Sequence, residues 1–139
     1  MEYIVGLLLV VVAGGAATLV GFDRSRSLYP FALIIIASYY CLFAVTGASE
    51  HALWQDLAVA LLFAASAVVS FKTSLWLTFT AIAAHGVMDI VHHRIVANPG
   101  VLSWWPGFCP TVDITLALYL ALSISLRGEA ERPLVAASR

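Results

Sequence analysis

The chain alternates between long apolar runs and short polar connections. Each of five runs approaches the roughly 20 residues that a helix needs to cross the hydrocarbon core of a bilayer. The predicted spans cover residues 3–21, 29–46, 52–71, 74–91 and 109–126. The pattern therefore predicts an all-α integral membrane protein, a compact bundle of five transmembrane helices in which residues 1–139 form a single domain.

Composition supports the membrane class and narrows the range of partners. Hydrophobic residues make up 62% of the 139 residues and charged residues 11%, against about 25% charged in soluble domains. A net charge of −1 predicts no nucleic-acid partner, because proteins that bind nucleic acids carry a basic patch.

Arginine outnumbers lysine six to one and alanine is abundant, a composition typical of GC-rich bacteria. We therefore expect a bacterial cytoplasmic (inner) membrane protein.

The distribution of cations predicts the orientation. Five spans place the termini on opposite sides, and one side then receives six of the seven cations, Arg24, Arg26, Lys72, Arg127, Arg132 and Arg139. The other side receives only Arg94. Because positive loops stay in the cytoplasm, the N-terminus is expected outside and the C-terminus in the cytoplasm. The tryptophans fall at the expected interfaces, Trp76 inside and Trp54, Trp104 and Trp105 outside.

Ionisable residues cluster at the outer end of the fourth span. His85, Asp89 and His92 fall within roughly 60° of one another on a helix, and His93 lies on the flank of that face. Asp113, one turn into the fifth span, is expected at a depth similar to that of Asp89. Ionisable side chains at membrane depth are costly, so they usually face a bundle interior or a wet cavity and have a function.

This residue set predicts a divalent metal site, with zinc as the expected ion. Imidazoles and carboxylates bind zinc, and a catalytic site keeps three protein ligands and an open position for water. The expected ligands are His85, Asp89 and His92 or His93. Asp113 is expected either as a fourth ligand or as the catalytic base that takes the proton of a metal-bound water.

A purely structural interpretation stands beside the metal site. His92 and His93 at the interface would then be solvated helix ends, and His85 and Asp89 would form an i,i+4 hydrogen bond. Asp113 would cap the fifth helix.

Three further residues have no settled place in the predicted site. Glu50 and His51 are expected at the outer end of the second helix, and Cys109 shares a helix face with Asp113. For all three, a structural role is favoured over membership of the site.

The leading functional hypothesis is a metal-dependent hydrolase acting on a membrane lipid or another amphiphile. One alternative is cation or proton transport or sensing, although the inner halves of the predicted helices show no ionisable residues. A homo-oligomer could extend the polar path, and five small helices make self-association a reasonable expectation. The other alternative is a small accessory subunit whose Trp104-Trp105 loop docks a partner.

Two families share residue types with the cluster. The histidines and aspartate resemble those of membrane hydrolases of the alkaline ceramidase type, which implies zinc-dependent hydrolysis. Those proteins have seven helices and a serine at the site, whereas this chain has two helices fewer and no serine clearly beside the cluster. The segment from Asp89 to His93 is similar to half of a desaturase histidine box, which needs about twice as many histidines as the four present. No residue role is carried over from either family.

Overall fold

Five long α-helices make up most of the computed structural model, which describes residues 1–130. They are α1 (Glu2–Leu19), α2 (Leu28–Thr46), α3 (Glu50–Lys72), α4 (Leu75–Ile95) and α5 (Trp105–Ala130), with a 3-10 turn (Phe22–Arg24) between α1 and α2. No strand occurs in the described range. All five helices are long and apolar enough to cross a membrane, which confirms the predicted helical class. The orientation stays a prediction, and two of its cations, Arg132 and Arg139, lie outside the described residues.

The helix ends differ from the predicted spans mainly around the fourth connection. Helix α4 continues through His92 and His93 to Ile95, and α5 begins at Trp105 instead of residue 109. The backbone amide of Val96 still donates to the carbonyl of His92 at 2.8 Å. Helical hydrogen bonding therefore continues beyond residue 91, where the fourth apolar run ends. The connection is therefore residues 96–104 rather than the 17 residues that hydropathy predicts.

The helices pack around an apolar middle layer. Sequential pairs α2–α3 and α4–α5 are antiparallel neighbours, α3 packs on α4, and α1 packs mainly on α5. The core consists of apolar side chains from the four helices α2–α5, namely Tyr29, Leu33, Ala37, Phe63, Ala67, Ala81, Ile82, Ala117 and Leu120. Many other large apolar side chains point outward, as expected where lipid takes the place of water.

Two glycines let α1 approach α5 closely. A Cβ at Gly6 would lie 3.0 Å from the carbonyl oxygen of Phe108, and one at Gly14 would lie 3.2 Å from the ring of Tyr119. The Tyr119 hydroxyl donates to the Gly14 carbonyl at 2.9 Å. Small residues at such contacts are a common means of helix association in membranes.

Residues 96–104 lie across the end of α2. We call this end of the bundle, where α2 and α4 finish and α1, α3 and α5 begin, the loop end. A Cβ at Gly100 would lie 1.8 Å from the carbonyl oxygen of Phe43, and one at Gly47 would lie 2.4 Å from the Gly100 nitrogen. Backbone therefore meets backbone at this contact, which only glycine permits.

An ion pair between Arg127 and Asp23 lies at the opposite end of the bundle. The Arg127 guanidinium donates to Asp23 Oδ2 at 2.7 Å and to the Asp23 carbonyl at 2.9 Å. Because Arg127 lies on α5 and Asp23 in the turn after α1, the pair joins the first and last helices of the bundle.

Candidate metal centre

Three ionisable side chains meet between α4 and α5. His85 and Asp89 are one turn apart on α4, and Asp113 comes from α5. All three are enclosed, with at most 1% of each residue exposed. One ligand atom from each lies within 4.8 Å of the others. We call these residues the inner trio.

The histidine ring connects the two carboxylates. His85 Nδ1 lies 2.7 Å from Asp113 Oδ2, a hydrogen bond, and 3.7 Å from Asp89 Oδ1. In a tetrahedral zinc site, ligand atoms about 2.0–2.1 Å from the metal are about 3.3 Å apart. The two distances lie on either side of that value, and the ligand oxygens of the two carboxylates lie within 4.8 Å of each other.

The glycine after His85 makes this meeting possible. A Cβ at Gly86 would lie 2.9 Å from the Cβ of Asp113 and 3.2 Å from Ile114 Cδ1. Any larger residue at this position would push α5 away from α4. The separation of the ligand atoms therefore depends on Gly86.

Most of the hydrogen-bonding capacity of the inner trio is unused. Among the described residues, four of its buried atoms have no hydrogen-bond partner: His85 Nε2, Asp89 Oδ1, Asp89 Oδ2 and Asp113 Oδ1. An enclosed carboxylate without donors is costly unless a cation or a proton compensates its charge. The inner trio therefore offers lone pairs that a metal ion could use.

Aromatic and sulfur-containing side chains surround the inner trio. The Phe63 ring packs edge-on against the His85 ring, with centroids 4.7 Å apart. Tyr40 and Cys109 lie beside the Asp89 carboxylate, and Cys109 also packs with Trp105 in an aromatic cluster. Cys109 is therefore a neighbour of the site without belonging to the group of metal-ligating atoms.

A cavity of about 430 Å³ opens beside the inner trio at the loop end. Its polar wall residues are Tyr40, Ser49, Asp89, His92, His93 and Asn98. Of the inner trio, only Asp89 lines this cavity. A molecule that enters the cavity would therefore reach Asp89 before His85 or Asp113.

A second polar cluster borders the same cavity. His92 Nε2 donates to Asp56 Oδ1 on α3 at 2.7 Å, and Asn98 Nδ2 donates to Asp56 Oδ2 at 2.7 Å and to the Tyr40 carbonyl at 3.0 Å. The His92 ring also stacks on the Tyr40 ring, with centroids 3.7 Å apart. We call Asp56, His92 and Asn98 the outer cluster. It ties the 96–104 connection to α3 and α4.

The structure thus separates the residues expected to form one site. His85, Asp89 and Asp113 come together, whereas His92 lies in the outer cluster and His93 is exposed on the cavity wall. Metal binding by His92 and His93 stays a prediction, as does the role of Asp113 as ligand or base.

Glu50 and His51 lie apart from the inner trio. They form the exposed first turn of α3, after Ser49, whose side chain accepts from the amide of Ala52 at 3.3 Å. They therefore begin α3 instead of capping the second helix, which ends at Thr46 as predicted.

Sequence reasoning missed Asp56 and Asn98. Asp56 is a carboxylate inside the third apolar run, so the cost of burying a charge at membrane depth could have singled it out. Asn98 gave no such signal, because Asn98-Pro99-Gly100 is also what an ordinary turn requires.

The tryptophan pair divides between the inside and the outside. Trp105 is 6% exposed and packs against Phe43 and Phe108, whereas Trp104 is 44% exposed. A partner docking on this loop would therefore contact Trp104 rather than the pair.

No family model, curated protein or solved structure matches the chain. The functional argument accordingly starts from the geometry of the inner trio and its cavity.

Proposed function

We propose that the protein is an integral membrane metalloprotein that binds a divalent cation, zinc first among the candidates, at His85, Asp89 and Asp113. The supporting observation is the enclosed group of three ligand atoms within 4.8 Å, surrounded by unpartnered lone pairs. Nitrogen and carboxylate oxygen are ligands that zinc uses. The two carboxylate charges also balance one divalent ion.

We propose further that this centre hydrolyses a lipid or another amphiphile. Three protein ligands leave a coordination position for water, and zinc lowers the pKa of such a water to about 7. The second oxygens of Asp89 and Asp113 have no other partner and are placed to accept its proton. Asp89 is the better placed of the two, because it also lines the cavity.

The cavity favours a substrate with a polar head and an apolar tail. Its polar side chains share the wall with Val96, Val101 and Pro106. It also opens at a bundle end, where headgroups would lie around a membrane-spanning helix. A membrane lipid is therefore the proposed substrate class, reached from the outer leaflet in the proposed orientation.

Cation transport is less well supported. Below the inner trio, the core side chains of Leu33, Ile82 and Leu120 are fully buried and apolar. An ion would have to cross this layer to reach the opposite end within one chain. Transport would therefore need a path between copies of a homo-oligomer, which remains a proposal.

The metal site is tested by elemental analysis of protein purified in detergent. We expect at least one zinc per chain after dialysis, and a loss of more than 100-fold in zinc affinity in His85→Ala and Asp113→Asn. His51→Ala is the matched control, because it removes an exposed histidine outside the site. Wild-type protein that is folded by circular dichroism yet takes up no added zinc would show that the metal proposal is wrong.

Hydrolysis is tested with fluorogenic ester- and amide-linked lipids in proteoliposomes. We expect turnover that disappears on chelation, returns with zinc, and falls about 10³-fold in His85→Ala as the activated water is lost. His51→Ala should keep full turnover. Zinc-loaded protein that cleaves none of these lipids but conducts cations across the same vesicles would favour transport instead.

A further inference from the structure

His92 is held in the manner of a metal ligand. Its Nε2 donates to Asp56 at 2.7 Å, and Asp56 is fixed in turn by Asn98. Histidines that bind metals usually donate their other ring N–H to a carboxylate, which sets the tautomer and the ring orientation. Nδ1 is thereby left as the nitrogen with a lone pair. It has no hydrogen-bond partner among the described residues and is not a fully enclosed atom.

The carboxylate of Asp89 lies between the two histidines of α4. His85 is four residues before it and His92 three residues after it, so all three share one helix face at axial steps of about 6 and 4.5 Å. Both Asp89 oxygens are unpartnered, and one of them lies 3.7 Å from His85 Nδ1. Asp89 and His92 line the same cavity. Asp89 therefore lies between His85 and His92 along α4 and has two unpartnered carboxylate oxygens to offer.

The charges at this end favour more than one cation. Asp56, Asp89 and Asp113 are each at most 1% exposed. The described part of the loop end has one arginine, Arg94, and it is exposed. With neutral histidines, one divalent ion leaves a net charge of −1 buried among apolar helices, which is unfavourable.

We infer that a second divalent cation binds beside the first, bridged to it by the Asp89 carboxylate and bound by His92 Nδ1, with the cavity supplying its remaining ligands as water or substrate oxygen. This inference rests on the proposed metal site, because the bridge needs an ion in the inner trio. Paired ions about 3.5–4 Å apart stabilise both the attacking and the leaving oxygen of a displacement. Asp56 is then a positioning residue for His92.

Stoichiometry and spin coupling test the inference without a substrate. Metal-free protein in detergent is titrated with Mn²⁺ by equilibrium dialysis and followed by electron paramagnetic resonance. We expect two equivalents per chain and the spectrum of an exchange-coupled pair. In His92→Gln we expect one equivalent and the spectrum of an isolated ion. Glutamine keeps an N–H donor for Asp56, so this variant tests the ring nitrogen rather than the fold.

The outcomes separate the two proposals. One equivalent in wild-type protein, without coupling, overturns the second ion and leaves the first site standing. No binding of Mn²⁺ or zinc overturns both. Two coupled equivalents in His92→Gln would show that His92 is not a ligand. His51→Gln is the matched control and should keep both ions, and the wild-type spectrum decides between one ion and two even if His92→Gln does not fold.

Discussion

Replacing Asp56 by alanine is expected to lower the free energy of unfolding by about 3–5 kcal/mol, because it removes a buried carboxylate that accepts two hydrogen bonds and leaves both donors unsatisfied. The carboxylate is 1% exposed and accepts from His92 and Asn98, both at 2.7 Å. Alanine would leave the His92 and Asn98 donors without their acceptor. The same change would release the 96–104 connection from α3.

The loss is measured by unfolding in mixed micelles with increasing SDS, followed by circular dichroism. Glu50→Ala is the matched control, because it removes an exposed carboxylate from the first turn of the same helix and should change stability by less than about 0.5 kcal/mol. Asp56→Asn, which keeps one acceptor oxygen, should fall between the two. An Asp56→Ala protein as stable as wild type would mean that the outer cluster contributes nothing to the fold.

The second large effect is expected from Gly100→Ala. The new Cβ would lie 1.8 Å from the carbonyl oxygen of Phe43, and that oxygen belongs to the backbone of α2, which cannot turn aside as a side chain can. We expect the 96–104 connection to lift from α2, at a cost of about 3 kcal/mol, the upper part of the usual range for overpacking. Its amides should then exchange with deuterium much faster than in wild type.

Gly15→Ala provides the comparison for this substitution. A Cβ at Gly15 would meet no atom within 4 Å, and alanine is the better helix former by about 1 kcal/mol. This variant should therefore be as stable as wild type or slightly more so. If Gly100→Ala behaves like Gly15→Ala in both stability and exchange, the close contact between the connection and α2 does not exist in solution.

The helices were predictable because bilayer thickness sets a length that apolar runs must match. The ends of the helices were harder to predict, because hydropathy cannot detect a helix that continues through polar residues. Helix α4 does this from His92 to Ile95. For the same reason, the start of α5 at Trp105 was predicted four residues too late.

The inner trio was predictable in part for a geometric reason. Spacing fixes the angle between His85 and Asp89 on one helix, and depth brings Asp113 to their level. Neither residue spacing nor membrane depth shows which neighbouring helix a given side chain will face. His92 shares the face of His85 but turns to Asp56, because α3 packs on α4 at that position. That adjacency is a property of the bundle rather than of any one segment.

The packing of α1 on α5 sets an order for assembly during synthesis. The Gly14 carbonyl and the Tyr119 hydroxyl that join them are 105 residues apart in the chain. At about 5–20 residues per second, the first helix would wait roughly 5–20 s for its partner. The helices of the inner trio are consecutive, so they can pair as soon as α5 is made. Helix α1 would therefore have to wait for α5 before it docks, whereas the inner trio needs only α4 and α5.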